Sequence, residues 1–313
     1  MKRQLSKDKT MGKQTNQKGS HFGGEWTLQK LHIIEEYLKT YATVLKNQRV
    51  KKIYVDGFAG SGKTELKSNS HTQDFEMQEN LLGELPVDIP PVVVEGSALI
   101  SLKYDFDEYY FLELDEGRIS TLYSAIKNEY PQKISKVHFI IGDSNVKLLE
   151  VLSKITVYDR CLMFLDPYAL ELKWNTLEKI SKCGVVDLWY LFPLSMIRLL
   201  EKQREISDAN QNKVTSILGT DEWLDKLFVE SKQINLFGDT RYDRISYDKI
   251  LEYIKARFST IFSYVSPDAK VLKNEAKNSP MFMLCFMMTN KSLAAQKLAA
   301  KLVKTIIKST EKV

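Results

Sequence analysis

The sequence predicts an α/β fold, in which a doubly wound and mainly parallel sheet is covered by helices on both faces. The first observation is a series of short, continuous apolar runs, which are typical of strands buried on both faces. These runs cover residues 53–55, 109–114, 137–141, 161–165 and 185–192. The second observation is that helical or polar segments separate the runs, so strands and helices alternate along the chain. The third is a late apolar run at 280–290 followed by a closing helix.

Two helices are predicted at the ends of this series. Apolar residues recur with a period near 3.6 from residue 26 to about 47, and Thr27 is a suitable cap for that helix. The closing helix covers residues 292–309. Its apolar side and its lysine-bearing side lie on opposite faces, as expected for a helix that packs on a sheet.

We expect a single domain over residues 23–313, preceded by a disordered basic tail at 1–22. The tail has too few apolar residues to form a core. An insertion occupies about 65–95; its Pro-Pro pair argues against a central strand, which leaves an edge strand or a loop. A helical addition occupies about 196–265.

The charge of the chain is unevenly distributed. The net charge is +5, but residues 1–20 and residues 291–313 each carry +5, so the middle of the chain is about −5. Basic termini of this kind can bind nucleic-acid phosphates by releasing counterions. The alternative is a disordered tail and a helix face that lysines keep solvated.

Composition excludes several classes of protein. The apolar runs are too short to cross a bilayer, and the N-terminus lacks the apolar region of a secretory signal, so we expect a cytoplasmic protein. The three cysteines are scattered without a C-x-x-C pair, which predicts neither disulfides nor a zinc site. The histidines show no metal-ligand spacing either, so no metal is predicted.

The stretch "KKIYVDGFAGSGKT", residues 51–64, has two interpretations. Starting at Gly57 it is G-x-x-x-x-G-K-T, a phosphate-binding loop for Mg·ATP. Lys63 would then contact the β- and γ-phosphates, Thr64 would ligate Mg²⁺, and Asp166 would be the second acidic Mg²⁺ ligand. Both interpretations require a strand before the loop and a helix after it, and Thr64 is expected to begin that helix.

Starting at Asp56 the same stretch is D-x-F-x-G-x-G, the cofactor loop of methyltransferases that use S-adenosylmethionine. Gly60 and Gly62 allow the backbone to approach the amino-acid end of the cofactor, and Asp56 is assigned to its ammonium group. Acids follow the next strands in order, which favours this interpretation. The predicted cofactor-binding residues are Asp56, Gly57, Phe58, Ala59, Gly60, Gly62, Glu113, Asp115 and Asp143.

Each acid has a predicted role. Glu113 ends the second strand, where a carboxylate binds a ribose diol in dinucleotide sites, and Asp115 follows two residues later. Asp143, after the third strand, is placed to accept from the adenine amino group; its alternative role is to cap the helix at 144–154. The gap from Asp56 to Glu113 is 57 residues, where a dinucleotide unit uses about 20. The insertion at 65–95 accounts for the surplus.

Several long motifs resemble those of the three-Cys-motif partner proteins of bacteria. They are "EWTLQKLHIIEEYL", "YVDGFAGSGKT", "EGSALISL", "FLDPYALELKWNTLEKISKCGVVDLWYLFPLSMIRLL" and "LGTDEWLDKLF", and the resemblance runs from about residue 26 to 290. It implies a class I methyltransferase-like, Rossmann-like fold with an antiparallel C-terminal strand. It also implies association with a separate three-Cys-motif protein and a place in bacterial defence or mobile-element gene sets.

The cofactor loop is also similar to that of amino-methylating DNA and RNA enzymes, whose catalytic motif is D/N-P-P-Y/F/W. Asp166 matches the acid and Pro167 the proline of that motif, and Tyr168 stands where the second proline would be. The resemblance implies that Asp166 and the Pro167 carbonyl accept hydrogen bonds from the amine that is methylated. In the family the aromatic ring stacks on the base, and Tyr168 comes one position early.

Three functions therefore remain open. The first is transfer of a methyl group to a nitrogen of nucleic acid, with Asp166, Pro167 and Tyr168 as the catalytic residues. The second is a phosphate-loop ATPase or kinase. The third is a catalytically silent, methyltransferase-like module that binds a three-Cys-motif protein. A further carboxylate, Asp187, lies inside an apolar run, so we expect it either to meet a partner such as Arg198 or to line the pocket.

Overall fold

A computed structural model describes residues 24–66, 92–200, 204–231, 242–274 and 278–310. Its centre is a sheet in which neighbouring strands follow the order β10-β12-β7-β6-β1-β4-β5, with β11 also paired to β12. The five strands from β5 to β7 are parallel, and β12 is antiparallel to β7. The predicted tail and most of the predicted insertion lie outside the described residues.

The strands are β1 (Lys51–Asp56), β2 (Lys63–Glu65), β3 (Val93–Glu95), β4 (Glu108–Glu113), β5 (Val137–Ile141), β6 (Asp159–Leu165), β7 (Val186–Pro193), β8 (Phe228–Glu230), β9 (Tyr242–Arg244), β10 (Tyr264–Val265), β11 (Lys270–Asn274) and β12 (Ser279–Met288). The α-helices are α1 (Glu25–Val44), α2 (Ser97–Ser101), α3 (Glu116–Glu129), α4 (Ser144–Leu152), α5 (Trp174–Ser181), α6 (Met196–Leu199), α7 (Asp208–Leu218), α8 (Trp223–Lys226), α9 (Tyr247–Ser259) and α10 (Leu293–Ser309), with a 3-10 helix at Pro131–Lys136.

The doubly wound sheet confirms the predicted fold class. Every apolar run that predicted a strand forms one, and the late run forms the antiparallel β12. Side chains of alternate residues fill two cores, one on each face of the sheet. Helices α1, α3 and α10 pack on one face, and α4, α5, α7 and α9 pack on the other.

The ends of the predicted insertion form a ribbon. β2 pairs with β3 in antiparallel register, with Lys63 opposite Glu95. The prediction that Thr64 begins a helix is wrong, because Thr64 lies in β2, and the next described helix is α2 at residue 97. The main chain is therefore extended at the position where a phosphate-binding loop would enter a helix.

The region predicted as a helical addition contains α6 to α9, and the strands β8 and β9 pair within it as a small antiparallel sheet. Tryptophan and phenylalanine side chains fix this region to the main sheet. Trp174 and Phe258 stack with ring centroids 6.2 Å apart, and Phe258 also meets Tyr190 and Phe192 of β7. No helix of the described residues is both long and apolar enough to span a membrane.

Candidate functional site

The predicted site residues meet at the carboxyl ends of the parallel strands. From β1 the chain runs outward to β4 and β5, and it then returns to β6 on the other side of β1. Such a reversal leaves a crevice at the carboxyl edge of a doubly wound sheet, and ligands bind there. The structure brings residues of β1, β4 and β6 together at this crevice.

Residues 57–62 form a tight loop between the ends of β4 and β6. The Gly57 N–H donates to the Phe164 carbonyl at 3.0 Å, and the Ala59 N–H donates to the Leu112 carbonyl at 2.8 Å. A Cβ atom on Gly57 would lie 2.4 Å from the Leu165 side chain, so a larger residue there would force that side chain to move. Gly60 has φ +62°, and a Cβ atom there would meet open space. The outer side of the turn is therefore free to receive a ligand.

Asp56 lies beneath this loop and is fully buried. Its carboxylate accepts hydrogen bonds from the Phe58 N–H at 3.1 Å and from the Ser97 hydroxyl at 2.6 Å. Burial raises the pKa of Asp56 to about 7, although the bonds from Ser97 and Phe58 oppose that rise. Asp56 thus joins the loop to α2, and its contact with a methionine ammonium stays a prediction.

Glu113 ends β4 and is 9% exposed. One carboxylate oxygen accepts from the Gly60 N–H at 3.0 Å, and the other accepts from the N–H groups of Leu114 and Asp115 at 2.9 and 3.1 Å. The carboxylate therefore lies against the turn of the glycine loop. The predicted ribose-binding acid and the predicted cofactor loop are direct neighbours in the structure.

Asp115 and Asp143 each cap a helix. The Asp115 carboxylate accepts from the Arg118 N–H at 2.8 Å at the start of α3, and the Asp143 carboxylate accepts from the Asn145 N–H at 2.8 Å at the start of α4. The helix-capping role considered for Asp143 is thus present. Both side chains are exposed at the same edge as Glu113.

Asp166 follows β6 and pairs with a lysine that the sequence analysis did not single out. The Lys30 ammonium of α1 donates to Asp166 Oδ2, and it lies 5.3 Å from the centre of the Trp26 ring. Lys30 is 6% exposed, whereas the Asp166 side chain is 24% exposed. Lys30 contacts only one of the two carboxylate oxygens, and the Asp166 side chain as a whole stays partly exposed.

The segment after Asp166 is fixed to α4 by one amide. The Asn145 carbonyl oxygen accepts from the Lys173 N–H and the Thr176 hydroxyl, at 2.9 and 2.8 Å, and its amide group donates to the Glu171 carbonyl at 2.9 Å. Pro167 is buried, and Tyr168 is 62% exposed. The Tyr168 ring is thus accessible at the edge of the site.

The residues predicted to bind Mg·ATP do not meet. Lys63 projects from β2, where its ammonium donates to Glu129 at 2.7 Å and is largely exposed. In a phosphate-binding loop the Lys and Thr enter a helix whose N–H groups surround the phosphates. Here both residues lie in a strand, and Asp166 is bound to Lys30. No group of three or more metal-ligating side chains occurs in the described parts of the chain.

Asp187 lies near the start of β7, at the edge opposite the site. Its partner is the Tyr37 hydroxyl of α1, which donates at 2.9 Å, and the expected partner Arg198 makes no recorded contact with it. Burial raises the pKa of Asp187 to about 7, while the bond from Tyr37 and the charge of Arg160 oppose that rise. Asp187 therefore does not line the crevice.

Sequence reasoning missed Lys30, Ser97 and Asn145. For Lys30 a signal was available, because it occupies the apolar face of α1. The buried residues of that face are Thr27, Lys30, Leu31, Ile33, Ile34, Tyr37, Leu38 and Tyr41. A lysine on a buried face needs a carboxylate partner, and that requirement marks it as a candidate. Ser97 and Asn145 had no comparable signal, since serine and asparagine are common at helix starts.

No protein-family model matches the sequence, and no curated protein matches it. Several solved structures are similar in fold. A Legionella pneumophila protein of family DUF519 aligns with a TM-score of 0.47 at 13% identity, over 92% of this chain and 94% of that one. Trm1 of Pyrococcus horikoshii, solved with S-adenosyl-L-methionine, aligns with a TM-score of 0.43 at 9% identity, over 91% of this chain and 58% of that one. The methyltransferase domain of a bacterial Hen1 protein aligns with a TM-score of 0.34 at 12% identity, over 82% of this chain and 98% of that one.

The fold assignment rests on the sheet itself. A mostly parallel sheet with the order β5-β4-β1-β6-β7 and an antiparallel β12 beside β7 is the sheet of the class I methyltransferase fold. The predicted cofactor loop follows its central strand, β1. This chain therefore has a Rossmann-like, class I methyltransferase-like architecture.

Proposed function

We propose that the protein is an S-adenosylmethionine-dependent methyltransferase that acts on a nitrogen of nucleic acid. The observation that carries the proposal is the contact between Glu113 and the Gly60 N–H, at the point where the strand order reverses. It places a carboxylate suited to a ribose diol against a turn suited to the amino-acid end of the cofactor. Asp166 lies at the end of the neighbouring strand β6, on the side assigned to the acceptor.

The residues present fit this cofactor. The glycine turn offers open space outside Gly60, and the exposed acids Asp115 and Asp143 lie beside Glu113 at the same edge. Glu113 would hold the ribose and the loop would hold the methionine end. When bound, S-adenosylmethionine supplies a methyl group that is already activated by its sulfonium, so the protein has mainly to position the acceptor.

The acceptor amine is assigned to Asp166 and the Pro167 carbonyl. Asp166 Oδ1 accepts one N–H of the amine, while Lys30 keeps the carboxylate in place through Oδ2. Transfer would form the N–C bond as the C–S bond of the sulfonium breaks and the neutral thioether leaves, and Asp166 would receive the proton that the nitrogen loses. The Tyr168 ring, 62% exposed, is assigned to stack on the base that carries the amine. Lys30 therefore acts through Asp166 as a positioning residue.

A second candidate is the non-enzymatic module, and one observation favours it. The Lys30–Asp166 ion pair occupies part of the carboxylate that the amine would need. In that case the carboxyl edge is a scaffold for a partner, for which the resemblance suggests a three-Cys-motif protein. The ATPase candidate has less support, because Lys63 and Thr64 lie in β2.

The test is methyl transfer from methyl-tritiated S-adenosylmethionine to bacterial total RNA and to genomic DNA, with and without a three-Cys-motif protein. We expect label in one of the two polymers, and a loss of about 100-fold or more in Asp166→Ala. Full transfer by Asp166→Ala would remove the catalytic assignment. Transfer to neither polymer under any condition, with the cofactor bound, would favour the scaffold.

A further inference from the structure

A groove beside α1 has no role in the site described above. Its volume is about 320 Å³, close to the lower end of the range for small-ligand sites, which begins at roughly 300 Å³. The first turns of α1, the strand β11 and Asn278, the residue before β12, form its walls. The lining side chains include Glu25, Trp26, Gln29, Lys270, Lys273, Asn274 and Asn278.

The chemistry of this lining suits a phosphodiester. Its described lining residues include two lysines and one glutamate, which give them a net positive charge, and the carboxamides of Gln29 and Asn278 are groups that can donate hydrogen bonds to phosphate and sugar oxygens. The register between β11 and β12 shifts after Leu272, because Met281 of β12 has no partner residue in β11. Lys270 and Lys273 of β11 both line the groove.

The groove adjoins the acceptor side of the proposed site. β12 is antiparallel to β7, and Phe282 of β12 lies opposite Pro193, the last residue of β7, so the start of β12 is at the carboxyl edge. The centre of the Trp26 ring lies 4.9 Å from the centre of the Phe282 ring and 5.3 Å from the Lys30 ammonium. Lys30 in turn holds Asp166. One turn of α1 therefore links the groove to the carboxylate assigned to the amine.

We propose that this groove binds the sugar–phosphate backbone of the acceptor nucleic acid, next to the nucleotide presented to Asp166. The inference rests on the proposed function, whose acceptor class it extends to a specific contact surface. The cofactor residues lie on the β1–β4–β5 half of the carboxyl edge, and the groove lies on the β7–β12 half. A polymer bound in the groove leaves the cofactor crevice open.

The test compares two charge-matched double variants of the full chain. Lys270→Gln with Lys273→Gln removes the groove ammonium groups. Lys179→Gln with Lys182→Gln removes two exposed lysines at the end of α5, which leads into the amino-terminal end of β7. Binding of a fluorescein-labelled, 20-nucleotide single-stranded DNA and of the same sequence in RNA is measured by anisotropy as a function of NaCl concentration.

We expect the groove variant to bind more weakly and its slope of log K against log salt to fall by about 1.4, since each phosphate contact on a single strand contributes roughly 0.7. The control variant should keep the wild-type slope. Equal slopes in the two variants, or no binding by the wild type, would overturn the proposal. Adenosine monophosphate is added as a competitor, and its complete displacement of the oligonucleotide at equal phosphate concentration would assign the groove to a free nucleotide instead.

A separate titration with S-adenosylmethionine distinguishes the two proposals. The groove variant should retain the wild-type affinity for the cofactor, because none of its changed residues is at β1, β4 or β5. If the wild type binds the cofactor but the groove variant has the control's salt slope, the groove assignment fails and the proposed function stands. If the slope falls as expected but the wild type does not bind the cofactor, the proposed function fails.

Discussion

Two aspartates with raised pKa values mark opposite edges of the same sheet. Asp56 ends β1 at the carboxyl edge, and Asp187 lies near the start of β7 at the amino edge. Burial raises the pKa of each to about 7. Helix α1 crosses both regions, since it brings Lys30 to the carboxyl edge and Tyr37 to Asp187. The two aspartates are alike in the direction and size of this pKa shift, although Asp56 is fully buried and Asp187 is half-buried.

Their surroundings differ. The charges of Asp166 and Lys30 act on Asp56, and Asp56 supports a loop with open space on its outer side. Asp187 has a phenol as its hydrogen-bond partner and packed aromatic rings around that phenol, since Tyr37 contacts both Trp189 and Phe286. An acid with a raised pKa is therefore not by itself a sign of function. What distinguishes Asp56 from Asp187 is position: Asp56 lies at the point where the strand order reverses, and Asp187 lies at the opposite edge of the sheet.

The largest difference between the two edges is expected when α1 is altered. Lys30→Met keeps the length of the side chain but leaves Asp166 without its partner, so methyl transfer should fall roughly 10- to 100-fold through misplacement of that carboxylate. The free energy of unfolding should fall by about 3 kcal/mol or less, because Asp166 is partly exposed. Tyr37→Phe should lower stability by roughly 1–2 kcal/mol and leave transfer unchanged. Equal transfer in the two variants would contradict the comparison.

The cofactor affinity sharpens the comparison. Glu113→Ala removes the carboxylate that contacts the Gly60 N–H and is assigned to the ribose, so the dissociation constant for S-adenosylmethionine should rise about 10- to 100-fold. Asp187→Asn is the matched control at the other edge, and its dissociation constant should equal that of the wild type. Calorimetry measures both. An unchanged affinity in Glu113→Ala would remove Glu113 from the site.

The pH dependence of stability tests the amino edge. Because the folded-state pKa of Asp187 is raised from 3.8 to about 7, the folded protein retains a proton that the unfolded chain loses, and stability falls as pH rises from about 4 to about 7. Asp187→Asn keeps an acceptor for Tyr37 and removes the pH-dependent contribution of this carboxyl to the free energy of unfolding, which is at most about 4 kcal/mol. Urea unfolding measures the decrease in the free energy of unfolding from pH 5 to pH 8. This decrease should be smaller in the variant than in the wild type, and an equal decrease would contradict the assignment.

The smallest effect is expected outside both regions. Lys63→Gln breaks only an exposed ion pair with Glu129, and such pairs contribute little to stability. The affinity for S-adenosylmethionine and the unfolding midpoint should match those of the wild type, which calorimetry and thermal unfolding can check. A large loss of ligand binding in this variant would restore the phosphate-loop interpretation.

The sequence predicted local features well. Continuous apolar runs located the strands because burial on both faces leaves a pattern within each segment, and the cap at Asp143 follows from local hydrogen bonding. The Lys30–Asp166 and Tyr37–Asp187 pairs join positions 136 and 150 residues apart, so no local pattern could show them. The sequence left open an edge strand or a loop in the insertion, where β3 lies, but it did not predict the pairing of β3 with β2, since the two short strands are about 30 residues apart in the chain.

The most direct test of the central claim is calorimetric titration of the protein with S-adenosylmethionine and, separately, with Mg·ATP. If the carboxyl edge is a methyl-donor site, S-adenosylmethionine binds in the micromolar range, Glu113→Ala weakens it, and Mg·ATP gives no heat of binding. Binding of Mg·ATP alone, lost in Lys63→Gln, would contradict the claim and make the glycine loop a nucleotide site.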